Sequence, residues 1–428
     1  MAEQKIMAEQ EVMTEQETLV EKHIFRENHP LYAELDHLTF LSKNLYNATL
    51  YSVRQHFFST GKYLSYHKVN KIFTHSDNPD YRALPAKVAK HTQMLVGDAM
   101  SSFFEVNRLF KAGSLKDRPN LPRYLDSVKG RQVVHYEKGA ISRKELKNGI
   151  VHLSGTGIQV RTKVPAHLVQ FARIVPKNGY IMVEVGYKRD LPELRESGGR
   201  YAAVDLGLNN LMMVSSNVMD PFIIDGRKVK HINNRYNREI SKRQMQLAHY
   251  NGKKTSRRVK EITLRRNNRV SDFMHKGSSM LVNHLVSNSI DTLVIGYNQS
   301  WKQDVNMGKA GNQRFVQVPF GQLISDLKYK CRQHGIRVLV HEEAYTSKCS
   351  FFDDEKIEKH EDGYYGKRVK RGLFKTGEGK YVNADLNGSL NIMKKTLTEV
   401  GEWTSSLWWQ CVLKNARPAV VRYKVALS

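Results

Sequence analysis

Three acidic positions, far apart in the chain, carry the residues best suited to chemistry. Asp205 sits near the end of a short apolar run, Tyr201-Ala-Ala-Val-Asp205-Leu-Gly207-Leu208. Glu342 and Glu343 close a second, Val338-Leu-Val-His341-Glu342-Glu343, and Asp385 lies within Val382-Asn383-Ala384-Asp385-Leu386-Asn387-Gly388-Ser-Leu-Asn391-Ile392. An acid on one strand, an acid at a later strand end and an acid at a helix start suit a site for two Mg²⁺ ions. Hard cations prefer carboxylate oxygens, and two of them can clamp both oxygens of an in-line phosphoryl displacement. Each acid alone has a plainer reading. Asp before Gly-Leu is commonly a turn former, and Asp385 equally suits the N-cap of the helix that ends near Lys395.

Charge adds the missing weight. The 428-residue chain has 68 Lys and Arg against 42 Asp and Glu, a formal net charge of +26. That excess exceeds what solubility needs and favours a polyanionic partner, of which nucleic acid is the usual one. The length allows two or three domains with sizeable cores. Only Cys331, Cys349 and Cys411 occur, so no disulfide framework is expected and a reducing compartment fits. No apolar run reaches membrane-spanning length, and the polar N-terminus is unlike a secretory signal. A cytoplasmic protein is the expectation.

The elements that must position the acids can be read in order. Residues 1–22 repeat a six-residue unit beginning at Met1, Met7 and Met13, read as a frayed or disordered tail. Residues 23–129 read as a helical lobe. Leu31, Leu35, Leu38, Leu41 and Leu45 mark one amphipathic helix, and Val88, His91, Met94, Leu95, Ala99 and Phe103 mark a second over about 84–110. Asp117-Arg-Pro119-Asn-Leu-Pro122 breaks that pattern. Over 130–194 short β-type runs separated by Gly, Asn and Lys suggest a small barrel or meander. Three short strands open the next domain, and Arg227–Lys276 follows with 16 Lys or Arg against three acids. Arg235, Arg238, Lys242, Lys253, Arg257, Arg258, Arg265, Arg266 and Arg269 fall in helical sequence there. A hairpin over 227–290 that presents guanidiniums to a phosphate backbone is the expectation. Ile290–Ile295 reads as a buried strand, Pro319–His334 as a helix with Leu323, Ile324, Leu327 and Cys331 inward, and Ile336–His341 as a further strand. Strands alternating with helices imply parallel pairing, and the order is that of a ribonuclease H-like fold.

Four strings within residues 200–396 resemble the TnpB family, the insertion-sequence-encoded RNA-guided DNA nucleases related to type V CRISPR effectors. They are Val204-Asp205-Leu-Gly207-Leu208, Val294-Ile-Gly296-Tyr297-Asn298-Gln-Ser-Trp301-Lys302, Glu342-Glu343-Ala-Tyr345-Thr346-Ser347-Lys348, and the Asn383 to Ile392 string. The resemblance implies a multidomain α/β protein: a RuvC-like nuclease domain over 195–343 and 383–396, an N-terminal helical recognition lobe, and a β-barrel wedge-like domain. It also implies an RNA guide encoded by the element's end (omega RNA), a double-stranded DNA target beside a short adjacent motif, a monomer carrying RNA, and a prokaryotic, nucleoid-associated setting. The catalytic and metal-binding set it implies is Asp205, Glu343 and Asp385 on two Mg²⁺, with Mn²⁺ as a substitute.

Two departures mark a subgroup. Most of the family place the middle Glu at the end of the strand read at 290–295, where this chain has Gly296. A minority supply it before the Tyr-Thr-Ser string, which here is Glu343. Neighbouring strands lie about 4.8 Å apart, so an acid one strand further out must be long, and Gly296 leaves it room. Strand alternation puts Glu342 on the opposite face, the competing candidate. Second, the family's two Cys-x-x-Cys pairs are missing from 344–382. Cys349 and His360 cannot fill four tetrahedral positions, so no structural zinc is expected. That degenerate ribbon instead mixes Lys367, Arg368, Lys370, Arg371 and Lys375 with Tyr364, Tyr365 and Phe374, suited to single-stranded nucleic acid. Residues 397–428 carry no readable signal. A nuclease-inactive guided repressor and a transposase acting without a guide remain as rivals.

Overall fold

A computed structural model describes residues 15–115, 117–252, 255–298, 316–416 and 420–426. The first two hexapeptide repeats, Met13 and Thr14 of the third, Lys253 and the Gln299 to Lys302 part of the second family string lie outside the described residues. The chain divides into two compact units, one of Gln16–Asp190 and one of Leu191–Ser428 together with Glu15. Among the described residues no helix is long and apolar enough to cross a membrane.

The first unit begins with β1 (Gln16–Phe25), followed by α1 (Tyr32–Thr60), α2 (Tyr66–His75), α3 (Pro79–Arg82) and α4 (Ala86–Lys111). Then come β2 (Val134–Glu137), α5 (Arg143–Lys147), β3 (Ile150–His152), β4 (Gln159–Arg161), β5 (Val169–Lys177) and β6 (Tyr180–Asp190). The main sheet has the order β1-β6-β5-β2, and β3 and β4 form a separate hairpin. Two expectations change here. Residues 16–22, read as tail, form most of an edge strand paired antiparallel to β6 from Gln16↔Asp190 to Phe25↔Ile181. Glu17, Glu21 and His23 gave β1 its tail-like composition, and charge on an edge strand discourages unwanted pairing. The helical lobe and the β lobe also share one core. Leu35, Leu45, Val88 and Met100 of the helices are buried together with Tyr136, Ile174 and Val183 of the sheet, because each layer has one apolar face and the other layer covers it.

The second unit carries β7 (Tyr201–Leu206), β8 (Asn210–Ser216), β9 (Phe222–Asp225), α6 (Arg227–Asn251), α7 (Arg257–Ser287) and β10 (Thr292–Gly296). It continues with α8 (Phe320–Arg332), β11 (Arg337–His341), β12 (Lys367–Lys370), β13 (Leu373–Lys375), β14 (Tyr381–Asn383), α9 (Ala384–Glu399), α10 (Ser405–Asn415) and β15 (Val421–Tyr423). The large sheet runs β11-β10-β7-β8-β9-β15. Strands β7, β8 and β9 are antiparallel, β10 and β11 run parallel to β7, and β15 runs parallel to β9. Residues 344–382, read as a degenerate ribbon, contain the small sheet β12-β13-β14.

Strand alternation sorts the residues of β7. Ala202, Val204 and Leu206 face α7 and α8, packing with Phe273, Met274, Leu281, Leu323 and Leu327. Tyr201 and Ala203 face the other way, packing with Leu386, Leu390, Met393 and Leu397 of α9 and with Leu407 and Cys411 of α10. Period two therefore places Asp205 on the α9 side. Helix α9 presents Leu386, Leu390, Met393 and Leu397 at spacings of three and four. Leu390 is fully buried, so Leu390→Ala should lower stability by about 3 kcal/mol with α9 loosened, read from chemical denaturation followed by circular dichroism.

Candidate active site

The first acid comes from β7. In β10, Ile295 pairs with Val204, so Gly296 stands abreast of Asp205, and Gly296 pairs in turn with His341 of β11. Glu343 follows two residues later. It must reach back over two strand spacings, roughly 9–10 Å, and Gly296 clears the way. A methyl group placed on Gly296 would meet Glu343 Oε2 at 3.0 Å and Ile392 Cδ1 at 2.4 Å. The Glu343 carboxylate therefore lies over the glycine, close enough to Asp205 to act on its proton affinity. Glu342 is exposed, and its carbonyl accepts from Lys395 Nζ at 3.0 Å.

Asp385 arrives from the other side, in the first turn of α9. The cap is not Asp385 but Asn383, whose side chain accepts from the backbone N–H groups of Asp385 at 2.9 Å and Leu386 at 3.2 Å. That leaves the Asp385 carboxylate for other partners. Asn210 Nδ2 donates to its Oδ2 at 2.6 Å and Arg368 Nη2 to its Oδ1 at 3.2 Å. Asp205 also lies hard against α9, since a methyl group on Gly388 would meet its Oδ2 at 3.0 Å. Burial pushes the Asp205 carboxyl well above the ordinary carboxylate range. The charges of Glu343 and Asp385 push the same way, and Arg368 opposes them.

The polar residues of the Asp385 string fasten this arrangement. Ser389 Oγ donates to Ala203 O at 3.0 Å and shares a 2.7 Å hydrogen bond with Ser215 Oγ, tying α9 to β7 and β8. Asn387 donates to Cys349 O at 2.8 Å and accepts from Phe351 N at 3.0 Å. Asn391 donates to Thr346 O at 2.9 Å and to Cys349 O at 2.7 Å. Thr346 Oγ1 donates to Glu343 O at 2.8 Å, so these asparagines secure the turn that carries Glu343. Cys349 is buried, with its thiol on Glu358 O at 3.7 Å.

Of the basic positions, Arg235, Arg238, Lys242 and Arg265 are exposed on the α6–α7 hairpin. Arg257 and Arg258 are exposed as well and lie 3.5 and 3.2 Å from Glu261. Arg266 differs from the expectation. Its Nε donates to Asn233 at 2.8 Å, its Nη2 to Gln317 O at 2.9 Å and its Nη1 to Asn267 at 2.9 Å. It ties α6, α7 and the residues before α8 together instead of facing solvent. Lys367, Arg368 and Arg371 are exposed on or beside β12. Phe374, read with the ring-bearing nucleic-acid surface, is instead 1% exposed, because it forms the core of the small sheet. The roles of Asn210 and Gly388 carried no sequence signal of their own.

Three carboxylates with hard oxygen donors suit a divalent cation chemically. As they stand, no three His, Cys, Asp or Glu side chains among the described residues are set closely enough to hold a metal ion, and Asp385 holds Arg368 instead.

Two family models match this unit and the strand before it. Residues 180–302 match OrfB_IS605, described as a probable transposase, and residues 320–392 match the Cas12f1-like TNB domain. The chain thus matches an OrfB_IS605 domain and a Cas12f1-like domain in succession. The TnpB-like protein ORF457 of Acidianus two-tailed virus is 23% identical over 402 residues, which cover 85% of this chain and 83% of that one. Among solved structures, the mini-RNA-guided endonuclease CRISPR-Cas phi3 aligns over 89% of this chain and 92% of its own, at 10% identity and a TM-score of 0.43. A Cas12f1–sgRNA–target DNA complex aligns over 89% and 100%, at 14% identity and a TM-score of 0.36.

The electrostatics around Asp205 make a stability prediction. Asp205 holds its proton more tightly in the fold than in the unfolded chain, so its contribution worsens as pH rises above the ordinary Asp range. Asp205→Asn, which does not titrate, should stabilise the cation-free protein by about 1 kcal/mol near neutral pH. The gain should fade toward acid pH and shrink on adding Mg²⁺, as followed by melting temperature in EDTA and in Mg²⁺.

Proposed function

We propose that the chain is an RNA-guided DNA endonuclease of a transposable element, with a RuvC-like nuclease domain that cleaves a DNA phosphodiester. The observation that carries this reading is the convergence of two acids, Glu343 and Asp385, on the half-buried Asp205 carboxyl, whose proton affinity they raise. Structural acids are seldom gathered at such a cost unless a cation offsets their repulsion. The sheet order β11-β10-β7-β8-β9 agrees with a ribonuclease H-like domain, and the OrfB_IS605 and Cas12f1-like matches support the class. The antiparallel sheet of the first unit would serve as the wedge-like domain, with α1 to α4 as the recognition lobe. The RNA guide and the DNA target beside a short adjacent motif are carried over from the family.

Asp205, Glu343 and Asp385 would hold two Mg²⁺ ions, which supply Lewis-acid stabilisation of the attacking and leaving oxygens. The chain's own residues do the remaining work. Asp205 is held rigidly by β7, so its oxygens cannot retreat from their neighbours. Arg368 would release Asp385 and turn its exposed guanidinium to a phosphate oxygen. Arg235, Arg238, Lys242 and Arg265 would contact backbone phosphates without regard to sequence, making affinity steeply salt-dependent. Guide pairing would supply sequence choice.

A second reading, a nuclease-inactive guided repressor, is favoured by one observation: Arg368 occupies Asp385 and no metal-competent trio is formed among the described residues. A transposase would differ by joining as well as cutting DNA. Asp205→Ala should abolish Mg²⁺-dependent cleavage while RNA and DNA binding persist. Cleavage assays with the genomic flank that encodes the guide decide this. Unchanged cutting rejects the acid assignment, and wild-type protein that binds without cutting favours the repressor. Gly296→Ala should cut cleavage roughly 100-fold by displacing Glu343, as single-turnover rates will show. A full rate would exclude Glu343 and return the choice to Glu342.

A further inference from the structure

The polar network behind Asp385 continues to the far edge of the large sheet, into the C-terminal segment that had no readable role. Arg422 lies in β15, opposite Ile223 of β9. Its Nη1 donates to Asn210 Oδ1 at 2.7 Å and lies 3.5 Å from Asp225 Oδ2. The other end of the same amide, Asn210 Nδ2, donates to Asp385 Oδ2 at 2.6 Å. Asp225 is itself engaged, accepting from the backbone N–H of Arg227 at 2.8 Å.

The chemistry of the three groups leaves the amide one orientation. A guanidinium offers donors only, and an ionised carboxylate offers acceptors only. Asn210, between them, must turn its oxygen to Arg422 and its NH₂ to Asp385. The flipped rotamer would set oxygen against carboxylate and NH₂ against guanidinium, losing both bonds. Without Arg422, the oxygen end of Asn210 would lose its anchor and the NH₂ end could swing away from Asp385. Apart from Asn210, the Asp385 carboxylate is held by Arg368, whose side chain is 49% exposed, so its orientation depends mostly on the amide.

We infer that Arg422 and Asn210 are positioning residues: Arg422 fixes the Asn210 amide, and the amide fixes Asp385 with Oδ2 engaged and Oδ1 left to exchange Arg368 for a cation. This rests on the two-cation reading above. Groups that orient a metal-binding carboxylate commonly matter roughly 10- to 100-fold to affinity. The inference assigns the final strand a part in the site, although it lies on the opposite edge of the sheet from Glu343.

The test is a Mn²⁺ titration by calorimetry on the full-length protein as purified, with a melting curve for every variant. Asn210→Ala and Arg422→Met should each weaken Mn²⁺ binding roughly 10-fold. The double variant should be no weaker than Asn210→Ala, since one residue acts through the other, and Arg422→Lys should recover part of the loss. Asp225→Asn, which removes the other anchor of Arg422 but spares its bond to Asn210, should bind Mn²⁺ like wild type. Additive losses in the double variant overturn the inference. So does an equal loss in Asp225→Asn, which would make docking of β15 the cause, or Arg422→Met binding normally while Asp385→Ala does not. Mn²⁺ binding that is absent in wild type, or unchanged in Asp385→Ala, removes the two-cation reading and this inference with it.

Discussion

The close seating of α9 on the large sheet is the constraint from which the rest of the site follows. Two contact points carry no side chain: Gly388 of α9, against Asp205, and Gly296 of β10, beneath Ile392 and Glu343. A methyl group at Gly296 would meet Ile392 Cδ1 at 2.4 Å, below any normal carbon contact. With either glycine filled, the helix would stand off the strands. Asp385 rides on its first turn, and the turn bearing Glu343 hangs from its asparagines, so both acids would leave Asp205 together.

Seating a helix this closely buries polar groups that must be satisfied. Ser389, Asn387 and Asn391 are fully buried, and each bonds a backbone carbonyl or a neighbouring hydroxyl. Each such bond contributes about 1 kcal/mol net, but removing one partner leaves a buried group unmet, at about 1–3 kcal/mol. The asymmetry makes the docking specific. An apolar helix face could slide along the sheet, whereas these residues accept one position only.

How much could be read in advance follows the same physics. Apolar strands with a single acid stand out, so the five strands β7 to β11 of the large sheet and the basic hairpin were legible, the three acids could be picked out as candidates, and Gly296 could be read as clearance for a longer side chain. Strand β1 was not, because an edge strand with Glu17, Glu21 and His23 looks like a solvated tail. Phe374 was misjudged for a related reason. A three-stranded sheet of ten residues in all leaves little pattern, and an aromatic beside lysines looks like a binding surface. Arg266 resembled its exposed neighbours in sequence, yet its partners Asn233 and Gln317 come from two other segments. Asn210 and Arg422 lie more than two hundred positions apart, beyond any local signal.

The contact between Arg368 and Asp385 then acquires a direction. Three acids gathered at one site repel, and the basic chain supplies the nearest available charge, a guanidinium from the small sheet. That guanidinium is 49% exposed against 29% for its partner, and ion pairs so open to water contribute only about 0–1 kcal/mol. Asp205, by contrast, is half-buried beneath α9, where little solvent reaches its carboxyl to relieve that burden. On the two-cation reading, a weakly held, exposed guanidinium beside a strongly disfavoured acid is an arrangement that a divalent ion would displace with little resistance. On the proposed reading, the displaced arginine would then be free to meet a phosphate oxygen.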